Sequence, residues 1–461
     1  MQNKNINYYA VLTRLLILVD SVIFFVAFAI SHQFSPQNYT NIEVLGNSLF
    51  FAFVMQLAFL GLGIYKPKLR DKWWGMLRRL IVATALSFLF LILVQALFKQ
   101  SYYMTESLFN ACLYSLLAAF FLRSLLLAFN VLGFAKRNVL VLGAGERATI
   151  IEQRMRRKID RQGFNLIGFV YMPGDVEPRF DKEKVIHLGD RSLLDYIGKN
   201  NVQEIVIATD ERRENLPIEE LFACKLRGVV VSDILDFFEQ ETGQIAVNLI
   251  YPSWLIFSDG FSSSNEIRNN LDWLFNASLA AVLFLLTWPI MLLTYIAIKL
   301  EDGIRSPGFY WQERVGLNGH VFKIVKFRSM RTDAERHGIK WSSEEDDRVT
   351  RVGRFIRKYR IDELPQIYNV INGDMGFVGP RPERPEFVEY LQQVIPYYYE
   401  RHNVKSGLTG WAQLKYPYGS SDEDALEKLK YDLYYIKHRS FFMDLLILIQ
   451  TAEVVLLGKG R

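Results

Sequence analysis

The chain has 461 residues, of which 50% are hydrophobic and 14% aromatic, and its net charge is +5. Mean hydropathy is only +0.08, so the apolar residues are gathered in blocks within two or three domains. Two cysteines and no zinc-finger spacing exclude a disulfide framework and a cysteine-based metal site, and the scattered basic residues do not point to nucleic acid.

Four apolar blocks come first, at roughly 11–32, 47–65, 79–98 and 107–133. Each is near the ~20 residues that cross a bilayer. No signal-peptide cleavage pattern precedes the first block, so it is expected to stay as an anchor. The first loop lacks Lys and Arg. The second carries Lys66, Lys68, Arg70, Lys72, Arg78 and Arg79, the third little beyond Lys99, and Lys136 and Arg137 follow the fourth block. The positive-inside rule then puts the N-terminus and everything after residue 135 in the cytoplasm. Arg123, inside the fourth block, must face protein or snorkel.

Residues 138–233 alternate strand-like and helix-like stretches, with strands expected in NVLVLG, LIGFVYM, EIVIAT and GVVVSDI. This is a Rossmann-like α/β pattern. Its turn reads Gly143-x-Gly145-x-x-Ala148, but no acidic residue follows at the ribose-binding distance and no Tyr-x-x-x-Lys occurs in 138–250. A structural or regulatory role is expected, in assembly of a homodimer.

The fifth apolar block, 271–299, has Pro289 in its middle. Proline removes a backbone bond and bends a helix. Such a helix could enter and leave on the cytoplasmic side, or be an ordinary kinked crossing. Next comes VFKIVKF, read as a strand ending at Lys326, Phe327, Arg328 and Ser329. Basic residues at a strand end suit a phosphate. The polar stretch after it leads to the adjacent acids Asp362-Glu363. Arg354, Arg357, Lys358 and Arg360 precede them, and Arg381 follows in a Gly/Pro-rich turn. Asp362 is expected to N-cap a helix over ELPQIYNVI, with Pro365 in its first turn and Leu364, Ile367, Tyr368 and Ile371 as its apolar stripe. An ionised Asp there is a nucleophile toward phosphorus, Glu363 is free to hold Mg²⁺, and the arginines grip phosphate oxygens. Taken alone, the same pair is also an ordinary capping pair.

Five motifs in order extend this reading: KFRSM (326–330), DELPQ (362–366), GDMGFVGPRPE (373–383), SGLTGWAQ (406–413) and YDLYYIKHRSFFMD (431–444). They closely resemble the bacterial sugar-transferase family, the polyprenol-phosphate hexose-1-phosphate transferases, over about 266–461. Residues 237–261 resemble its exopolysaccharide-associated branch. The resemblance implies three parts: a four-helix membrane bundle (1–135), a Rossmann-like cytoplasmic domain (136–260) and a monotopic α/β catalytic domain with a re-entrant helix (261–461). It implies transfer of a hexose 1-phosphate from a UDP-sugar to undecaprenyl phosphate at the bacterial cytoplasmic membrane, with UMP released. Asp362 matches the nucleophile, Glu363 the metal-binding acid, Arg357 and Arg381 phosphate neighbours, and Asp444 a C-terminal acidic position, with Asp432 ranked after it. The family's Ser-Pro at the helix break is here Trp288-Pro289, with Thr287 before it. Two rival readings are a membrane-bound NAD-dependent nucleotide-sugar dehydratase or epimerase, and a non-enzymatic scaffold of polysaccharide export.

Overall fold

The computed structural model describes residues 8–33, 40–65, 73–98, 105–128, 136–155, 161, 163–176, 182–189, 191–211, 216–250, 254, 258, 260–261, 266–331, 348–416, 419 and 421–456. Lys66, Lys68, Arg70, Lys72 and Lys99 lie outside them, as does most of the polar stretch before the acid pair. The chain divides into two compact units, 1–243 and 244–461.

In the first unit the four apolar blocks form helices α1 (Tyr8–Gln33), α2 (Asn41–Gly61), α3 (Trp73–Phe98) and α4 (Thr105–Ala128). Each is long and apolar enough to cross a membrane. α1 packs on α2 and α4, and α3 on α2 and α4. Arg123 faces protein. Its guanidinium donates to both oxygens of Asp20, at 2.9 and 2.5 Å. Tyr65 donates to the same carboxylate at 2.6 Å, and Gln56 donates to the Tyr65 hydroxyl at 2.9 Å. Charge inside a bilayer is tolerated when it is paired and hydrogen-bonded in this way.

The rest of the unit is a parallel sheet in the order β3-β2-β1-β4-β5. Its strands are β1 (Arg137–Leu142), β2 (Phe164–Val170), β3 (Val185–Ile186), β4 (Glu204–Ile207) and β5 (Val230–Asp233), with helices α5 (Thr149–Arg154), α6 (Leu193–Lys199), α7 (Ile218–Leu226) and α8 (Ile234–Thr242). Leu140, Leu142, Val170 and Ile205 pack with Leu193, Leu221 and Cys224 in its core. The glycine turn after β1 is filled from within. The Asp210 carboxylate accepts the N–H groups of Glu146 and Arg147, at 2.9 and 3.0 Å, and Asp175 accepts that of Ala144 at 2.8 Å. A Cβ on Gly145 would meet Asp210 Oδ2 at 1.9 Å. The backbone donors that hold pyrophosphate in a dinucleotide fold are committed here to two carboxylates, so the turn as it stands does not fit NAD.

The second unit begins at Gln244. Ile245 N–H donates to Lys430 O at 3.0 Å and Gln244 to the Tyr431 hydroxyl at 2.6 Å. Its long helix is α9 (Glu266–Asp302), 37 residues that stay helical on both sides of Pro289. The helix thus runs through Pro289 without interruption. The Thr287 hydroxyl bonds the Leu283 carbonyl at 2.7 Å. At about 1.5 Å per residue α9 is roughly 55 Å long. Both of its ends are tied to the same unit. Asn276 accepts the Phe377 N–H at 2.8 Å and Asp272 binds Arg439, while Glu301 accepts the N–H groups of Arg351 and Val352 at 2.8 and 2.9 Å. Ala280 and Ile298 are buried in two separate clusters, and Leu285, Trp288, Leu292 and Leu293 are exposed between the ends.

Candidate active site

The site is built on a hairpin, a helical segment and a two-strand ladder. β6 (Phe309–Val315) and β7 (Val321–Phe327) pair antiparallel, with Tyr310 opposite Lys326. This confirms VFKIVKF as a strand. Thr350 caps α10 (Arg351–Lys358) by accepting the Gly353 N–H at 2.9 Å. Arg360 then takes a left-handed backbone, φ 55°, and a 3₁₀ turn runs from Ile361 to Gln366 before α11 (Ile367–Asn372). Asp362 is therefore not an N-cap. It is the second residue of the tight turn, and the position before the turn is taken by Arg360 in its left-handed conformation. Strained residues of this kind gather at functional sites.

Asn369 fixes this segment to the strand. Its carbonyl oxygen accepts the Val325 N–H at 3.1 Å and its amide donates to Lys323 O at 2.8 Å. Thus α11 is registered on β7, which brings Lys326 to Glu363. Downstream, β8 (Gly376–Val378) pairs parallel with β9 (Gly407–Thr409) and delivers Arg381. Gly407 has no room for a side chain, since a Cβ would lie 2.1 Å from Gly379 N. The unit is completed by α12 (Pro385–Val394), α13 (Trp411–Lys415), α14 (Asp422–His438) and α15 (Phe441–Leu456).

Glu363 is 7% exposed. Its Oε1 accepts Arg381 at 2.6 Å and Lys326 at 3.3 Å, and Arg360 lies 3.7 Å from Oε2. Burial alone would raise this acid, but Arg381, Lys326 and Arg360 hold it far below the carboxylate range. Glu363 in turn keeps Arg381 charged, while burial pulls the Lys326 ammonium down against the pull of Glu363. Asp362 differs from its neighbour. Its carboxylate accepts no hydrogen bond from the described residues. Burial and the Glu363 charge push it up to about 6, opposed by Lys326, Arg357 and Arg381. Two adjacent acids are thereby set apart, one held ionised among cations and the other raised.

Of the residues singled out from sequence, the structure gathers Asp362, Glu363, Lys326 and Arg381, with Arg357 near enough to act on Asp362 by charge. Arg360 joins them. The others lie among different partners. Arg328, 6% exposed, faces Asp302 at 4.0 Å at the end of α9. Asp444 accepts the Tyr435 hydroxyl at 2.8 Å, and Asp432 accepts Arg401 at 2.8 Å. Pro289 is inside α9.

Mg²⁺ is commonly held by one or two carboxylates plus substrate phosphate oxygens and water. Glu363 fits that pattern, because its Oε2 accepts no hydrogen bond from the described residues, Arg360 lying 3.7 Å away, while Oε1 carries both Arg381 and Lys326. No group of three or more potential metal ligands occurs among the described residues.

A protein with membrane-length helices and an α/β unit that cradles an acid pair among cations is the class this geometry defines. Residues 267–458 match the family model described as bacterial sugar transferase. An uncharacterized sugar transferase, EpsL, of Bacillus subtilis is 40% identical over 191 residues, 41% of this chain and 88% of the relative. The chain belongs to the bacterial sugar transferase family. A UDP-N-acetylgalactosamine-undecaprenyl-phosphate N-acetylgalactosaminephosphotransferase of Aeromonas hydrophila is 38% identical over 272 residues, 58% of this chain and 63% of the relative. A UDP-glucose:undecaprenyl-phosphate glucose-1-phosphate transferase of Xanthomonas campestris pv. campestris is 31% identical over 307 residues, 64% of this chain and 61% of the relative. The match thus spans about three-fifths of these two longer relatives.

Proposed function

We propose that this chain transfers a hexose 1-phosphate from a UDP-sugar to undecaprenyl phosphate and releases UMP. The observation that carries the reading is the division of labour between Asp362 and Glu363. The Asp362 carboxylate attacks the sugar-linked phosphorus, and the bond from that phosphorus to the oxygen of UMP breaks. An oxygen of undecaprenyl phosphate then attacks the aspartyl phosphosugar, and Asp362 leaves as the carboxylate. Arg381 and Lys326, held by Glu363, and Arg357 beside Asp362 offset charge on the phosphoryl oxygens. Mg²⁺ on Glu363 supplies further charge neutralisation when bound. The printed names of the relatives carry two different sugars, so the donor is tested as a panel. Purified protein with undecaprenyl phosphate should release UMP from one UDP-sugar in preference to the others. Release from none would sink the reading.

The same reading holds that the middle and catalytic parts face the cytoplasm, with α9 re-entering that face. Support comes from the ties at both ends of α9 to one compact unit, through Asn276 and Glu301. A helix that crossed the bilayer would carry those ends to opposite sides. Cysteines placed at Asn270 and Ile304 should both resist a membrane-impermeant thiol reagent in intact cells and react after lysis. Cys112 and Cys224 are buried and keep the background low. Labelling at 304 alone in intact cells would mean a full crossing. The parallel sheet is read as a Rossmann-like domain that serves assembly as a homodimer, in keeping with its filled glycine turn.

A further inference from the structure

Arg381 reaches Glu363 from a stretch of backbone with few freedoms. Gly379 N–H donates to Thr409 O and Gly407 N–H to Pro380 O, both at 2.9 Å. The ladder ends there. Pro382 confines Arg381 to extended backbone, and Pro380 has its own φ fixed. What remains is the orientation of the next peptide groups, and three successive carbonyls are tied. The Arg381 carbonyl accepts Arg401 Nη2 at 2.9 Å, that of Pro382 accepts Arg314 Nη1 at 3.2 Å, and that of Glu383 accepts the Val315 N–H at 2.9 Å.

Arg401 is 5% exposed and Asp432 is 1% exposed. The same Nη2 that holds Arg381 donates to Asp432 Oδ2 at 2.8 Å, and Nη1 donates to the Tyr398 hydroxyl at 2.7 Å. Arg401 comes from the turn Tyr398–Asn403 and Asp432 from α14. A buried ion pair is a weak source of stability, since well-packed apolar residues of similar volume often do as well or better. A guanidinium supplies directed donors that an apolar side chain lacks, and one of them is aimed at the backbone of Arg381.

We propose that Arg401, oriented by Asp432, is a positioning residue that sets the Arg381 guanidinium on Glu363 for phosphosugar transfer. The proposal rests on the reaction assigned above. Asp432 then acts two contacts away from the chemistry, through Arg401 and the Arg381 backbone.

A double-mutant cycle on the full chain, read by UMP release, tests it. Arg401→Met should lower kcat on the order of 100-fold, as small misplacements of a reacting assembly do, with a much smaller change in donor KM. Arg401→Lys keeps the charge opposite Asp432 but not the two-way donation, and should recover little. In an Arg381→Met background, Arg401→Met should cause almost no further loss, because its effect is already spent. Arg137, which pairs with Glu204 and Glu241 in the first unit, is the control, and its replacement by Met should multiply with Arg381→Met. If Arg401→Met does not fold, Asp432→Asn keeps the volume and enters the same cycle. Losses at 401 or 432 that multiply with Arg381→Met, or full rescue by Lys, overturn the positioning role. A wild-type chain that releases no UMP overturns the reaction and takes the proposal with it.

Discussion

Asp362→Asn should abolish turnover and leave the protein folded. The amide has the size of the carboxylate, and no hydrogen bond from the described residues is lost with the charge. Removing the covalent nucleophile of a serine protease lowers kcat on the order of 10⁶-fold. With a UDP-sugar radiolabelled in the sugar, wild type should carry label on the protein in the absence of undecaprenyl phosphate, and the Asn variant should carry none. Turnover by the variant near the wild-type rate would end the covalent proposal. The pH profile gives a second reading of the same group. Burial and Glu363 raise the Asp362 acid to about 6. Attack needs the ionised form, so activity should be full above that pH and fall as pH drops through about 6. Glu363 stays ionised throughout, held down by Arg381, Lys326 and Arg360, so it should add no second acid-side break.

The other large effect is expected in the membrane helices. Arg123→Leu leaves Asp20 buried without its cation, and Asp20→Leu leaves Arg123 without its anion. Breaking a buried pair by removing one partner costs about 3–5 kcal/mol. Either single variant should therefore melt far below wild type in detergent. The double variant Asp20→Leu/Arg123→Leu should recover most of the loss, because no uncompensated charge remains. A double variant as unstable as the singles would show that the pair specifies the helix arrangement as well as neutralising itself. Tyr65 shares the Asp20 carboxylate, so Tyr65→Phe should be the mildest of the set.

Much of this architecture can be read along the chain because its signals are local. Each of the four N-terminal apolar blocks is a helix, β4 and β5 fall within the stretches expected of them, and β1 and β2 overlap theirs but start one and two residues earlier. β3 escapes notice because it is two residues long and has no period to detect. The acid pair and its cations are visible as composition, and Lys326 and Arg381 do converge on Glu363. The local backbone is another matter. An N-cap at Asp362 follows from propensity, but Arg360 adopts a left-handed conformation that propensity disfavours for arginine, and the tight turn follows from that. Arg328 is two residues from Lys326 and reads alike in sequence, yet it faces Asp302. Arg401 sits in YYYERHNVKSG, where no periodicity marks it. Its role depends on Asp432 of α14, 31 residues on, and on the loop around Arg381, and only the folded chain brings these together.

A helix fastened at both ends behaves as a keel. Because α9 is tied through Asn276 near one end and Glu301 near the other, on the proposed re-entrant placement its unit cannot ride up or tilt without breaking one mooring. The acid pair is then kept at a constant depth relative to the greasy middle of the helix. On the proposed reaction, a lipid acceptor drifting in the plane of the bilayer meets its target by sideways motion alone, while the water-borne donor arrives from above. The search is two-dimensional for one substrate and three-dimensional for the other, so dilution of the lipid in the membrane, more than the volume of the cell, should govern how often the second step finds its partner.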